Sequence, residues 1–282
     1  MGSVIRSTRW PLVMIVMLSL IISSLACDIN INIPTESPPS DTGDAGDQGD
    51  TGDPGDQGDT QQDQPPADLP TPTCDSLTFD PQILGVGVVT EVIPEVPPGD
   101  MPPASPEHMR YTLTGYPVGL SVFDAYIELF SVPAYISGAP YVSDLRDTLR
   151  QIIINRPPAP SGQVWIPSIY NAGEMMSTAF EYLSFANGDG IRYLTQYGQA
   201  YTEVNNEYLL YTYQGLTSGD ECWVSVIFPV NHSSLPDVGG IPSGDPDAYY
   251  AGIEASLGAE HPDSFNPSLL LLDALIQSIV VN

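Results

Sequence analysis

The sequence predicts an α+β domain: a mainly antiparallel sheet built from hairpins and covered by about three helices. Two observations point there. Tyr- and Val-rich runs with period-2 alternation are joined by short Gly/Asn/Asp turns, which is hairpin chemistry. Three other segments carry apolar residues at helical spacing between recognisable start and stop residues. Antiparallel hairpins with a few helices give an α+β domain, the helices covering at least one sheet face.

Residues 83–93 and 110–130 are rich in Val, Ile, Tyr and Phe and read as strands; Gly115, Pro117 and Gly119 split the second run in two. Residues 141–155 place Val142, Leu145, Leu149, Ile152 and Ile153 on one helical face. A first hairpin runs from 176–186 through Asn187-Gly188-Asp189-Gly190 into 191–199, with Ile191, Tyr193, Thr195 and Tyr197 on one face. A second joins 207–216 to 221–230 around Thr217-Ser218-Gly219-Asp220. There Tyr211 and Tyr213 share a face with Leu209, and Tyr208 faces the other way with Leu210 and Thr212. Asp245-Pro246 opens a helix closed by Gly258, and Asn266-Pro267 opens a last one, apolar on most sides and therefore expected to be buried.

Composition excludes several functions. The 282 residues hold 35 Asp+Glu against 7 basic residues, all Arg, for a net charge of −28. Phosphate backbones and anionic lipid surfaces both need clustered basic side chains, so this balance argues against a nucleic-acid partner and against a polybasic membrane-surface patch. Residues 74–282 alone carry 24 acidic residues and five Arg, or −19.

The amino-terminal segment reads as an export address. Arg6 and Arg9 precede a 13-residue apolar run, 10–22, too short to span a bilayer. Ser23-Ser24-Leu25-Ala26-Cys27 follows and resembles the lipobox of bacterial lipoproteins, with Ser24 where that family most often has Leu. The resemblance implies a signal peptide over 1–26, cleavage before Cys27, and a lipid anchor on Cys27 with palmitate-type acyl chains. Each buried CH2 contributes about 0.8 kcal/mol, so two or more chains anchor stably. Asp28 resembles the inner-membrane retention signal of such proteins. The implied place is the extracytoplasmic face of the cell membrane.

Residues 28–73 hold 11 acidic residues, no basic one and no aromatic. Gly43, Gly46, Gly49, Gly52, Gly55 and Gly58 recur every third position, each followed by Asp. Collagen has that glycine period, but six triplets with one Pro and an Asp in each would repel as a triple helix. The Asp spacing also departs from an EF-hand loop. A self-repelling, disordered spacer fits best, and its 46 residues would span roughly 35–40 Å as a coil.

The domains are thus 1–26, 27–73 and 74–282. With Cys27 assigned to lipid, Cys74 and Cys222 remain, and two cysteines in an oxidising compartment are expected to pair.

No motif dictates chemistry. His108, His232 and His261 lie in Pro-, Ser- or Asp-rich contexts and read as surface residues, with no zinc spacing. Gly85-Val86-Gly87 and Gly239-Gly240 lack the rest of a phosphate loop. No catalytic residue, metal or cofactor is assigned. The candidate binding face is Tyr182, Tyr193, Tyr197, Tyr208, Tyr211 and Tyr213 with Arg192 among them, suited to stacking on sugar rings or gripping a protein. The expected function is a membrane-anchored, non-catalytic binding or scaffolding module for a carbohydrate or protein partner. The alternatives are a cell-envelope hydrolase using carboxylates with His232, and a structural spacer without a ligand. Residues 192–200, with Asn205-Asn206 and 211–216, resemble uncharacterised domains of bacterial exported lipoproteins, and the element order resembles PsbP/Mog1-like domains in architecture alone.

Overall fold

The computed structural model describes residues 72–99 and 103–282; the leader, Cys27 and most of the acidic segment lie outside them. From Leu77 the chain lays down β1 (Leu77–Thr78), β2 (Gly87–Ile93), β3 (His108–Thr114), β4 (Tyr126–Ser131), α1 (Val132–Gly138) and α2 (Val142–Asn155). Then follow β5 (Gly173–Phe185), β6 (Gly188–Gly198), β7 (Leu210–Thr217), β8 (Cys222–Pro229), β9 (Asn231–His232), α3 (Pro246–Gly258), β10 (Phe265–Asn266), α4 (Leu269–Gln277) and β11 (Val280–Val281).

Seven strands form one antiparallel sheet in the order β2-β3-β4-β8-β7-β6-β5, so the α+β expectation holds. Alternation sends each central strand's side chains into two cores. Ile127, Leu129, Tyr211, Tyr213, Val226 and Phe228 pack under α3 and α4; Phe130, Ile191, Tyr193, Leu210, Trp223 and Ile227 pack under α1 and α2. Both faces of the sheet centre are therefore covered, with β7 and β8 buried along their whole length, while the edge strand β2 stays exposed.

Local chemistry explains the helices. Val142, Leu149 and Ile152 of α2 are buried, with Leu145 and Ile153 half-buried beside them. That helix stops at Arg156, whose φ is +47°, before Pro157. In α3 the Asp245 carboxylate accepts from Asp247 N at 3.2 Å, with Pro246 at the first turn. A fourth helix, α1, joins the three that the sequence predicts; Ser131 caps it and Pro133 occupies its first turn. In α4 the cap is Ser268 rather than Asn266, and the helix ends at Gln277 because Val280–Val281 returns as β11. Leu270 and Leu271 stay exposed, so α4 buries one face, not most of its surface.

The first hairpin turns at Ala186-Asn187, one residue earlier than the glycines suggest, and Gly188 already pairs with Phe185. Gly190 and Gly215 lie opposite each other in the ladder, and the Tyr213 ring folds over both. A Cβ on Gly190 would overlap that ring and the Gln214 carbonyl.

Cys74 and Cys222 are bonded, with Cα atoms 5.5 Å apart, closing a separation of 148 residues. Thr73 N donates to Asn282 O at 3.1 Å, so the two ends of the domain meet beside β1 and β11.

Candidate binding cleft

The tyrosine cluster is the first point of correction. Tyr193, Tyr211 and Tyr213 are 0 % exposed and belong to the cores. Their hydroxyls are spent inside: Tyr193 donates to Val164 O, Tyr211 to Asp273 Oδ1 and Tyr213 to Leu183 O, at 3.2, 2.9 and 3.1 Å. Burial pushes all three phenols well above their ordinary value. Arg192 is likewise internal; its Nε donates to Asp273 Oδ1 at 3.1 Å and its Nη1 to Ala179 O. Tyr182 is half-buried and donates to Pro157 O at 2.7 Å. These five residues form no open face, because α1 and α2 cover one side of the sheet and α3 and α4 the other.

Tyr197 and Tyr208 have a different fate. Beyond the last β5–β6 pair, Gly173 with Gly198, the two chains diverge, and a cleft of about 810 Å³ opens at that end of the sheet. That lies within the roughly 300–1,000 Å³ of small-molecule sites. One wall is the loop leaving α2, Ser168 to Ala172; the other is the segment from Tyr197 to Tyr208, flanked by Phe123, Val238 and Gly239. Phe123, Tyr170, Tyr197 and Tyr208 supply rings, with Tyr170 and Tyr208 51 % and 36 % exposed. Phe123 and Tyr208 stand edge to face, centroids 6.2 Å apart.

Two asparagines knit the loops that carry these rings. Asn231 Oδ1 accepts from Gly119 N and Leu120 N at 2.9 and 3.2 Å, while its Nδ2 donates to Leu120 O and Asn206 O. Asn206 Oδ1 accepts from His232 N at 2.8 Å and its Nδ2 donates to Leu235 O. Val122 N to Glu207 O and Glu207 N to Asp237 O, each 3.1 Å, complete the frame.

Carboxylates hold the opposite wall. Glu128, 1 % exposed on β4, accepts from Arg110 Nε at 2.9 Å, from Arg110 Nη2 at 2.6 Å and from the Ser168 hydroxyl. His108 Nε2 lies 3.4 Å away, its Nδ1 2.8 Å from Pro106 O, and the Arg110 guanidinium sits over the Tyr126 ring. Burial alone would push the Glu128 carboxyl up; the hydrogen bonds from His108 and Ser168 and the Arg110 charge outweigh it and hold it below its ordinary value. Burial, with the Glu128 charge beside it, pushes the Tyr126 phenol up to about 12. Glu174 Oε2 accepts from Gly162 N at 2.8 Å, and burial raises this carboxyl despite that bond.

The histidines also depart from expectation. His108 and His232 are buried, 8 % and 4 % exposed, and only His261 is on the surface. His232 Nδ1 lies 2.7 Å from Ser234 Oγ, and its Nε2 lies 3.0 Å from Ser264 Oγ and 3.7 Å from Glu260 Oε2. Among the described residues no group of three or more His, Cys, Asp or Glu could hold a metal ion, and no helix is long and apolar enough to cross a membrane.

Sequence reasoning missed Phe123, Tyr170 and Glu207, which come from separate loops. The only hint was Asn205-Asn206 with Asn231, amides clustered after strands where loop-knitting bonds are needed. No protein family, curated protein or solved structure matches the chain.

Proposed function

We propose that the protein is an exported lipoprotein, anchored through Cys27 at the extracytoplasmic face of the membrane, whose domain is a non-catalytic binding module using the cleft beside Tyr197 and Tyr208. One observation carries the binding reading: one end of the sheet opens into a cavity of about 810 Å³ walled by four aromatic side chains. The lipobox-like sequence before Cys27 supports the anchor. The Cys74–Cys222 bridge fits an oxidising compartment. A carbohydrate or a protein is the partner class. In cells expressing the full chain, Cys27→Ser is expected to move the protein from the detergent phase to the aqueous phase, with loss of palmitate labelling. Unchanged partition overturns the anchor. A glycan and peptide screen of the same chain tests the cleft, with Tyr208→Ala expected to abolish any hit.

A second reading, a cell-envelope hydrolase, is favoured by the exposed Ser234 hydroxyl 2.7 Å from the buried His232 ring. A fluorophosphonate probe decides it. Phosphonylation of Ser234 Oγ, with fluoride leaving and the proton passing to His232 Nδ1, supports the hydrolase. An unmodified intact mass removes it.

A further inference from the structure

We propose that the occupant of the cleft is an extended, cationic peptide segment, its Arg or Lys side chains seated over the Tyr170 and Tyr208 rings and against the Glu207 carboxylate. This rests on the reading of the cleft as the ligand seat and names the chemistry that seat selects.

Charge is the first argument. The domain carries −19, and none of its five Arg lines the cleft. Four of them are paired elsewhere, Arg110 with Glu128, Arg146 with Asp147, Arg150 with Asp220 and Arg192 with Asp273. The fifth, Arg156, lies over the Tyr182 ring. An anionic ligand would meet no counter-charge, whereas a cation is drawn in by the field of the whole domain.

The second argument is which polar groups remain open. Ser168 is committed to Glu128, Thr202 Oγ1 to Gly240 O at 3.1 Å, and Asn205 Nδ2 to Glu203 O at 2.8 Å. Among the residues lining this cleft, Glu207 is the one charged side chain, so the strongest polar attraction the cleft offers is to a cation. Among the described residues the Glu207 carboxylate accepts no hydrogen bond, and the adjacent ring is Tyr208. A carboxylate beside exposed phenol rings is a seat for guanidinium or ammonium groups, which the ring faces attract.

Shape is the third. The cleft continues into a second lobe of about 820 Å³ that shares Asn171, Ala172 and Gly198 to Ala200 with the first and reaches Glu174 and Tyr201. Two joined lobes suit a chain rather than one small molecule. Of the lining residues, Tyr201 and Val238 are exposed by 61 and 63 %, apolar surface on which the aliphatic stems of Arg and Lys can lie.

The test uses the full chain in non-ionic detergent and an acetylated, amidated octapeptide alternating Gly and Arg. Its partner probe has citrulline at each Arg position, with the same shape and no charge. Calorimetry is expected to give at least tenfold tighter binding of the Arg peptide, weakening several-fold between 50 and 200 mM salt as ion pairs are screened (on the order of a halved Debye length). Tyr208→Ala and Glu207→Gln, both at the surface of the cleft, should each cost tenfold or more at unchanged Tm, while Asp144→Asn on the remote α2 helix changes nothing. Equal binding of the citrulline peptide overturns the proposal. So does Arg-peptide binding that ignores the two cleft variants, which would be attraction to an acidic surface. Binding of cellohexaose, lost in Tyr208→Ala, overturns the cationic ligand but leaves the cleft as the binding site. Binding of no probe overturns the proposal too, and if the broader screen also finds nothing, the cleft reading falls separately.

Discussion

Glu128 is a buried carboxylate that meets Arg110, His108 and Ser168 at once. Removing one member of a buried ion pair costs roughly 3–5 kcal/mol. The Arg110 side chain is 31 % exposed and keeps some solvent, so Glu128→Ala is expected near the lower end, about 3 kcal/mol, measured by urea unfolding. The pH dependence has a definite sign. The native carboxyl lies below its ordinary value of 4.5, so its stabilisation is complete above that pH. It disappears as pH falls through the depressed native value, and a Glu128→Ala chain should lack that part of the acid transition. Gly190→Ala is a steric case: the added methyl meets the Tyr213 ring and the Gln214 carbonyl, and overpacking of this kind costs about 1–3 kcal/mol, read as a lowered midpoint with unchanged urea dependence. None of this was visible in the sequence. Alternation assigned Tyr211 and Tyr213 to one face correctly, yet it could not tell a ring folded over two glycines from a ring offered to a ligand.

Among the elements, those with strong local signals were legible. The Asp245-Pro246 start, the α2 apolar stripe and the hairpin strands fall within a few residues of their expected places, since caps and periodicity are written in adjacent residues. The short pieces β1, β9, β10 and β11 escaped because each is a two-residue strand stabilised only by a distant partner. The Cys74–Cys222 bond joins the level of elements to the chain ends. Its loop is 148 residues, for which the chain-entropy relation gives about 4–5 kcal/mol. Urea unfolding with and without reductant should show a loss of about 3–5 kcal/mol, and the Cys74→Ser, Cys222→Ala double variant should match the reduced protein.

At the level of the whole molecule, charge and the cleft act together. With −19 on the domain, self-repulsion opposes folding and is screened by salt, so raising sodium chloride from 20 to 500 mM is expected to raise Tm; a flat response would show the charges to be too dispersed to matter. The cleft is a property of this scale too. Its lining runs from Phe123 to Gly239 in separate loops, and only the closed tertiary structure brings them to one end of the sheet. That is why no local pattern in the sequence announced the cleft. One consequence follows from the covalent bond at the domain's first turn. A pull applied from the amino-terminal side reaches Cys74 and passes at once to Cys222, the first residue of the central strand β8. Tension from a held partner would thus be borne by sulfur at the keel of the sheet, and β1 would be spared from peeling.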